Sequence, residues 1–270
     1  MDKKTNFADT MRRITDIAEL RSIQISILDE IHEFCQREGI IYFLSSGTLL
    51  GAVRHQGYIP WDDDIDLYMP RESYEQFLAK FSSESGRYYV INPRTEANYY
   101  YTFAKVVDTK TRVVEQETPG FEIGVYVDVF PVDYVSEDLS VRQKVFKRKR
   151  FLNKIRRCKI SHNNPLYSRW AYIVYKHWPR SVKSINNELD RLIAYNKPSS
   201  LVCNMTEAGP GIEGCFSSSC ISSDVDILFE GKNYKTMVGY KEYLEKTYGD
   251  YMTLPPVEKR VHHDFEAYWF

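Results

Sequence analysis

The sequence lacks a long apolar run: no stretch approaches the roughly 20 residues needed to cross a bilayer, and the N-terminus, MDKKTNFADTMRRITDIAEL, has no apolar segment of the secretory kind. A cysteine framework is missing too. The five cysteines (Cys35, Cys158, Cys203, Cys215, Cys220) are odd in number and form no CxxC pair, which favours reduced thiols over disulfides or a zinc site. Net charge is almost absent, with 36 Lys and Arg against 37 Asp and Glu, so bulk charge provides no general attraction for nucleic acid. There is no internal repeat and no long disordered linker. What remains is the expectation of a cytoplasmic globular protein, whose 270 residues, 43% of them apolar, can fill one large core or two small ones.

Apolar residues recur at helical spacing through 8–38, from Ile14 to Phe34, and stop at Gly39, which predicts an amphipathic helix. IIYFL (40–44) reads as a buried strand, SSGTLLGAVRH as a turn at Gly47 into a short helix capped by Thr48, and IDLYM as a second strand before a helix over 71–81. Further strands are expected at 88–91, 101–107, 112–115 and 123–129, which makes a mixed α/β core. From Leu139 the character changes. Ten Lys or Arg fall between Arg142 and Lys159, with Val141, Val145, Leu152 and Ile155 at helical spacing; the aromatic-rich YSRWAYIVYKHW and a third helix over 181–195 follow. The chain thus divides into an α/β core (1–137), a basic, aromatic helical insertion (138–198) and a C-terminal segment (199–270) that completes the core with a strand at 225–231 and a helix at 240–248.

The acidic stretch WDDDIDLYM asks for an explanation. In an extended chain, alternation puts Asp62, Asp64 and Asp66 on one face and Ile65, Leu67 and Met69 on the other. Asp64 and Asp66 would then stand about 7 Å apart, close enough to share a cation that relieves their repulsion, and hard oxygen donors favour Mg²⁺ or Mn²⁺. A solvated acidic turn is the plain alternative, but it has no use for apolar residues alternating with the charges. GVYVDVFPVD repeats the device: Asp128 lies in a valine-rich strand that Pro131 is expected to end, and the same cation would be its partner as third carboxylate. Upstream, SSGT can hold a phosphate at a helix N-terminus or be an ordinary cap. Arg54 and His55, late in that helix, either reach a phosphate or interact with the helix end. Lys105 either faces the same site and holds a phosphate or is a strand-edge lysine.

Gly-Thr followed by a strand of pattern hDhDh and a third aspartate on a later strand resembles the nucleotidyltransferase superfamily. SSGTLLGAVRHQGYIPWDDDIDLYMPRESYEQF, YVDVFP and YGDYMTLPPVEKRVHH together resemble the LicD family, to which the catalytic domains of fukutin and fukutin-related protein are similar. The resemblance runs from about residue 20 to the C-terminus. It implies a nucleotidyltransferase-like α+β fold, a mixed sheet flanked by helices, and a phosphotransferase that moves phosphocholine from CDP-choline to a sugar hydroxyl of a glycan such as teichoic acid, releasing CMP. Asp64, Asp66 and Asp128 carry over as metal ligands and Asp62 as an acidic neighbour, with Gly47, Thr48 and Arg54 also present. Either Asp128 or Asp62 could take the proton of the attacking hydroxyl, with Asp128 preferred. Arg260, His262 and His263 would close the site from the C-terminus. A choline cage would draw on nearby aromatics, among them Trp61, Tyr68 and Tyr99 to Tyr101.

The basic helix has two readings, a solvated charged face or a surface that meets anionic lipid at the cytoplasmic side of the membrane, where a lipid-linked glycan acceptor would be found. Three rivals to phosphocholine transfer stand: transfer of the nucleotidyl group or of another CDP-linked alcohol phosphate (ethanolamine, ribitol), a DxD glycosyltransferase, and a non-catalytic choline- or teichoic-acid-binding module. The Gly-Thr turn before hDhDh argues against the second. Three aspartates on two core strands argue against the third.

Overall fold

The computed structural model describes residues 11–96, 99–114, 123–160, 168–194, 197–206, 214–260 and 266–270. A short strand β1 (Arg12–Ile14) precedes the long helix α1 (Ile17–Glu38). The helix therefore starts later than its apolar spacing suggests, because the Asp16 carboxylate accepts the Ala18 N–H at 2.9 Å and caps it there. Its end follows expectation: Gly39 adopts the left-handed conformation at φ 66° and returns its N–H to Cys35. Then come β2 (Phe43–Leu44), α2 (Ser46–His55), β3 (Asp66–Pro70), α3 (Arg71–Lys80), β4 (Tyr88–Ile91), β5 (Ala104–Asp108), β6 (Thr111–Val114) and β7 (Tyr126–Tyr134). Helices α4 (Leu139–Ile160), α5 (Arg169–Lys176) and α6 (Val182–Ile193) follow. The chain closes with β8 (Leu201–Cys203), β9 (Cys215–Ser217), β10 (Asp224–Phe229), β11 (Lys232–Met237), α7 (Tyr240–Tyr248) and β12 (Glu266–Trp269).

The fold is α+β, as expected, around a mixed sheet of order β2-β3-β7-β5-β4 that β8 and β9 extend beyond the far end of β7. Only β3 and β7 run parallel in it, and that pairing sets Asp66 beside Asp128. Leu20, Ile23, Ile27, Leu28, Ile31 and Phe34 form the buried stripe of α1, which packs on β5 and β7. A second sheet ties the ends of the chain together, with β12 between β1 and β6.

Two expectations need correction. Pro131 does not end its strand, for β7 continues to Tyr134. The Asp128 N–H points to β3, onto Ile65 O, so two-residue alternation turns the nitrogen of residue 131 to the other side, where β5 has already stopped opposite Val129. No ladder bond is lost there. Second, α4 is not simply basic outside and apolar inside. Arg142, Lys149 and Arg156, seven residues apart, are all buried, whereas Val141 is exposed.

Arg156 shows why such burial is tolerated. Its guanidinium donates to Asn186 Oδ1 at 2.6 Å, to Tyr101 O at 2.8 Å, and to the carbonyls of Tyr99 and Tyr100, pinning α4 and α6 to the segment that leads into β5. Behind it Leu152, Ile155, Ile185 and Leu189 form a small apolar cluster separate from the main core. Burial lowers the Arg156 guanidinium to about 10, still charged at neutral pH. Replacing Arg156 by Met strands those carbonyls and should cost on the order of 2–4 kcal/mol in urea unfolding; a loss below about 0.5 kcal/mol would show that the pin contributes little.

Candidate active site

The site forms where β2 hands over to α2. Ser46 lies at φ 48°, in the left-handed region that non-glycine residues seldom occupy. The helix consequently begins at Ser46, and Thr48 is not its cap. Instead the Thr48 hydroxyl accepts the Asp66 N–H at 2.9 Å while Ser45 N–H donates to Asp66 O at 3.0 Å, so the α2 turn and the first residue of β3 are clamped together. Gly47 also has a sharper reason than a turn. A Cβ built there would meet Asp62 Oδ2 at 2.5 Å, so glycine is what lets this carboxylate come down onto the first turn of α2.

The aspartates do not sit on one strand face. Because β3 starts only at Asp66, residues 62–65 escape strict alternation, and oxygens of Asp62, Asp63 and Asp64 lie within 4.8 Å of one another. Among the described residues this is the one set of three acidic side chains that converges so closely; the expected set of Asp64, Asp66 and Asp128 does not. Asp63, which alternation would send to the opposite face, joins the cluster. Helix α1 holds the loop from behind: Arg21 donates to Asp62 O at 2.6 Å and to Ile59 O at 3.1 Å, and Gln24 donates to Asp63 O at 2.7 Å. Tyr58 fixes the Gln24 amide by donating to its oxygen at 3.0 Å. Fixing the backbone leaves the carboxylates crowded. Burial first, then the charges of Asp64 and Asp63, push Asp62 up to about 7, and a hydrogen bond with Asp64 adds to the shift.

Asp66 and Asp128 stand side by side on the parallel pair β3 and β7. Asp128 is held from its other neighbour, β5, where Lys105 is directly opposite and donates from Nζ to Oδ1 at 2.6 Å. This lysine is not at a strand edge, since β5 lies between β7 and β4, and it is buried. Its ammonium sits 3.3 Å from the ring centroid of Tyr126, 4.2 Å from that of Tyr101 and 5.3 Å from that of Phe103. The protein has built an aromatic box and filled it with its own cation.

Arg54 and Arg260 lie near one another at the C-terminal end of α2. Arg54 donates to Tyr251 O at 3.0 Å and from Nε to His55 Nε2 at 3.0 Å, so it ties down the segment after α7 rather than the end of its own helix. Burial, and then the nearby charge of Arg260, lowers its guanidinium. Arg260 in turn lies 4.7 Å above the Trp61 ring. Burial, then Tyr243 and the carboxylates of Asp66, Asp62 and Asp64, raise the Tyr248 hydroxyl, so α7 delivers a phenol to the aspartates. Tyr243 meets Tyr68 hydroxyl to hydroxyl at 3.4 Å inside the core, which removes Tyr68 from the aromatics available to a ligand; Tyr99 is buried as well. His262 and His263 lie outside the described residues. Asp63, Arg21, Gln24, Tyr243 and Tyr248 are the residues that sequence reasoning missed. The adjacent DDD was the available signal for Asp63 and the head of the YGDYMTLPPVEKRVHH block for Tyr248, whereas nothing marks Arg21, Gln24 or Tyr243 as belonging to the site.

Carboxylates gathered beside a helix N-terminus, just before an inner strand of a mixed sheet, agree with the class that comparison with known proteins gives, a transferase with a nucleotidyltransferase domain. A family model described as LicD/FKTN/FKRP, nucleotidyltransferase domain, matches residues 39–170. Over 96% of its length the chain is 30% identical to the lipopolysaccharide cholinephosphotransferase LicD of Haemophilus influenzae, of which it covers 99%. It is also 29% identical, over 48% of its length, to 41% of an uncharacterized protein of Rickettsia typhi. A region covering 31% of the chain is 34% identical to 7% of the Saccharomyces cerevisiae mannosyltransferase regulator 4. The protein belongs to the LicD family, and is a transferase.

The crowding has a measurable consequence for pH. A carboxyl raised from 3.8 to about 7 is easier to protonate folded than unfolded, so its contribution to stability is present below pH 4 and lost as pH rises through 7. Asp62→Asn, which mimics the protonated group, should therefore gain on the order of 1–3 kcal/mol relative to wild type between pH 5 and pH 8 in chelator. Urea unfolding at the two pH values reads this difference, and equal mutant effects at both would disprove the crowding.

Proposed function

We propose that the protein transfers phosphocholine from CDP-choline to a sugar hydroxyl of a cell-surface glycan and releases CMP. The observation that carries this reading is the full-length similarity to a lipopolysaccharide cholinephosphotransferase, which speaks for the transferred group. The site chemistry supports the reaction type. Asp62, Asp63 and Asp64 suit a divalent cation, because they offer converging hard oxygen donors whose mutual repulsion such an ion relieves. Mg²⁺ or Mn²⁺ held there, with Asp66 adjacent, would neutralise charge on the donor pyrophosphate.

The chain's own residues supply the rest. The first turn of α2 at Gly47 and Thr48 and the guanidiniums of Arg54 and Arg260 face the donor phosphates. Trp61 already serves as a platform for one cation, Arg260, and is the kind of ring a quaternary ammonium takes. Asp128, fixed by Lys105, accepts the proton as the sugar hydroxyl attacks the choline-bearing phosphorus. The bond from that phosphorus to the bridging oxygen breaks, and CMP leaves with the electron pair. In this reading Lys105 positions Asp128 and does not touch the donor. The acceptor is lipid-linked, which brings the protein to the inner face of the membrane as a peripheral protein.

Nucleotidyl transfer is the rival, favoured by the family description, and differs only in the phosphorus attacked. With CDP-choline and Mg²⁺ in ¹⁸O-labelled water, water standing in for the sugar hydroxyl, ³¹P NMR should show label in phosphocholine. Asp64→Ala, which removes the aspartate common to both candidate ligand sets, should lower turnover at least about a thousandfold. Label in CMP would overturn the proposed direction of transfer.

A further inference from the structure

Residues 139–187 hold fourteen Lys and Arg and no Asp or Glu, whereas the rest of the chain holds 22 basic residues against 37 acidic ones. The protein is thus a strong dipole despite its near-zero net charge. Much of the positive end is already engaged: Arg142, Lys149 and Arg156 are buried, and Arg148 and Arg180 pair with Glu188. Of the nine others, Lys147, Arg150 and Lys154 lie together on α4. With Phe151 and Tyr175 they line an open groove of about 470 Å³ between α4 and α5.

Helix α5 adds what a merely solvated basic face would not have. None of its residues is buried. Tyr175 turns inward, packing against Phe151 at 6.4 Å between ring centroids. Trp170, Ile173 and Val174, at the i, i+3, i+4 spacing of one helix face, are 80%, 42% and 51% exposed. No described helix is long and apolar enough to cross a membrane, so this face suits contact from one side only.

We propose that α5, through its Trp170, Ile173 and Val174 face and together with Lys147, Arg150 and Lys154 of the neighbouring α4, docks the protein on an anionic bilayer. The indole and the two aliphatic side chains enter the headgroup boundary while the cations meet lipid phosphates. The acidic remainder of the chain is repelled by the same surface, which fixes the orientation. An anionic glycan would pair with the cations but has no use for the exposed apolar face. The proposal deepens the phosphocholine reading, since it names the surface by which a lipid-linked acceptor is reached.

The test uses the full chain with vesicles of phosphatidylcholine, with and without phosphatidylglycerol, at low and high salt. Co-sedimentation should require phosphatidylglycerol and fade with salt, and the indole emission lost in Trp170→Phe should be the component that shifts to the blue. Lys147→Gln with Arg150→Gln and Lys154→Gln should weaken binding about a hundredfold. Trp170→Ala with Ile173→Ser and Val174→Ser should weaken it about tenfold. Both variants should hydrolyse CDP-choline like wild type, so a chemically inactive wild type that still binds vesicles would sink the phosphocholine reading alone. Docking by this face is overturned by no binding at low salt, by either variant binding like wild type, or by capture of soluble phosphorylated glycan in place of vesicles.

Discussion

Mutual repulsion among Asp62, Asp63 and Asp64 is the constraint around which the candidate site is arranged. Three carboxylates within 4.8 Å of one another cannot be gathered by their own chemistry, so the surrounding structure has to impose the arrangement. Arg21 and Gln24 hold the loop by its carbonyls, which restrains the backbone without neutralising the side chains. Gly47 gives Asp62 room at the α2 N-terminus, where the helix dipole partly compensates its charge. Thr48 and Ser45 lock the start of β3 to the same turn. Each of these contacts would be needlessly elaborate for a solvated acidic turn. Together they hold three carboxylates in one place against their repulsion, which is the arrangement the proposed cation would relieve.

Charge is handled differently one strand further in. Asp128 would be costly in the middle of β7, and the structure answers with Lys105 from the adjacent strand, itself enclosed by Tyr101, Phe103 and Tyr126. The segment that carries Tyr101 is in turn held by Arg156 from α4. A chain of packed ionic contacts therefore joins the helices α4–α6 to the carboxylate beside Asp66, although their apolar cluster is separate from the main core.

Much of this was legible from one-dimensional pattern. The helices α3, α4, α6 and α7 and the strands β4 and β6 fall where the sequence pattern put them, and α1 and β7 do so in part, since each period reflects a buried face that the fold retains. What escaped depends on partners distant in sequence. Alternation failed over 62–65 because α1 side chains, about 40 positions earlier, draw the loop out of the strand. Pro131 was misread because a proline ends a strand only where a neighbour expects its N–H. Arg142, Lys149 and Arg156 looked like solvated charge until the Tyr99 to Tyr101 carbonyls appeared opposite Arg156. Tyr243 had no local mark at all, and Tyr248 only its place at the head of the YGDYMTLPPVEKRVHH block. The candidate site was thus visible as a motif, while the positions of its carboxylates were not.

The most direct measurement is calorimetric titration of Mn²⁺ into metal-free wild type and Asp64→Asn, with both shown to be folded. If the crowded carboxylates form a cation platform, wild type binds the ion saturably and gains thermal stability with it, and Asp64→Asn loses both effects. Equal behaviour of the two proteins, or no uptake by wild type, would contradict that platform.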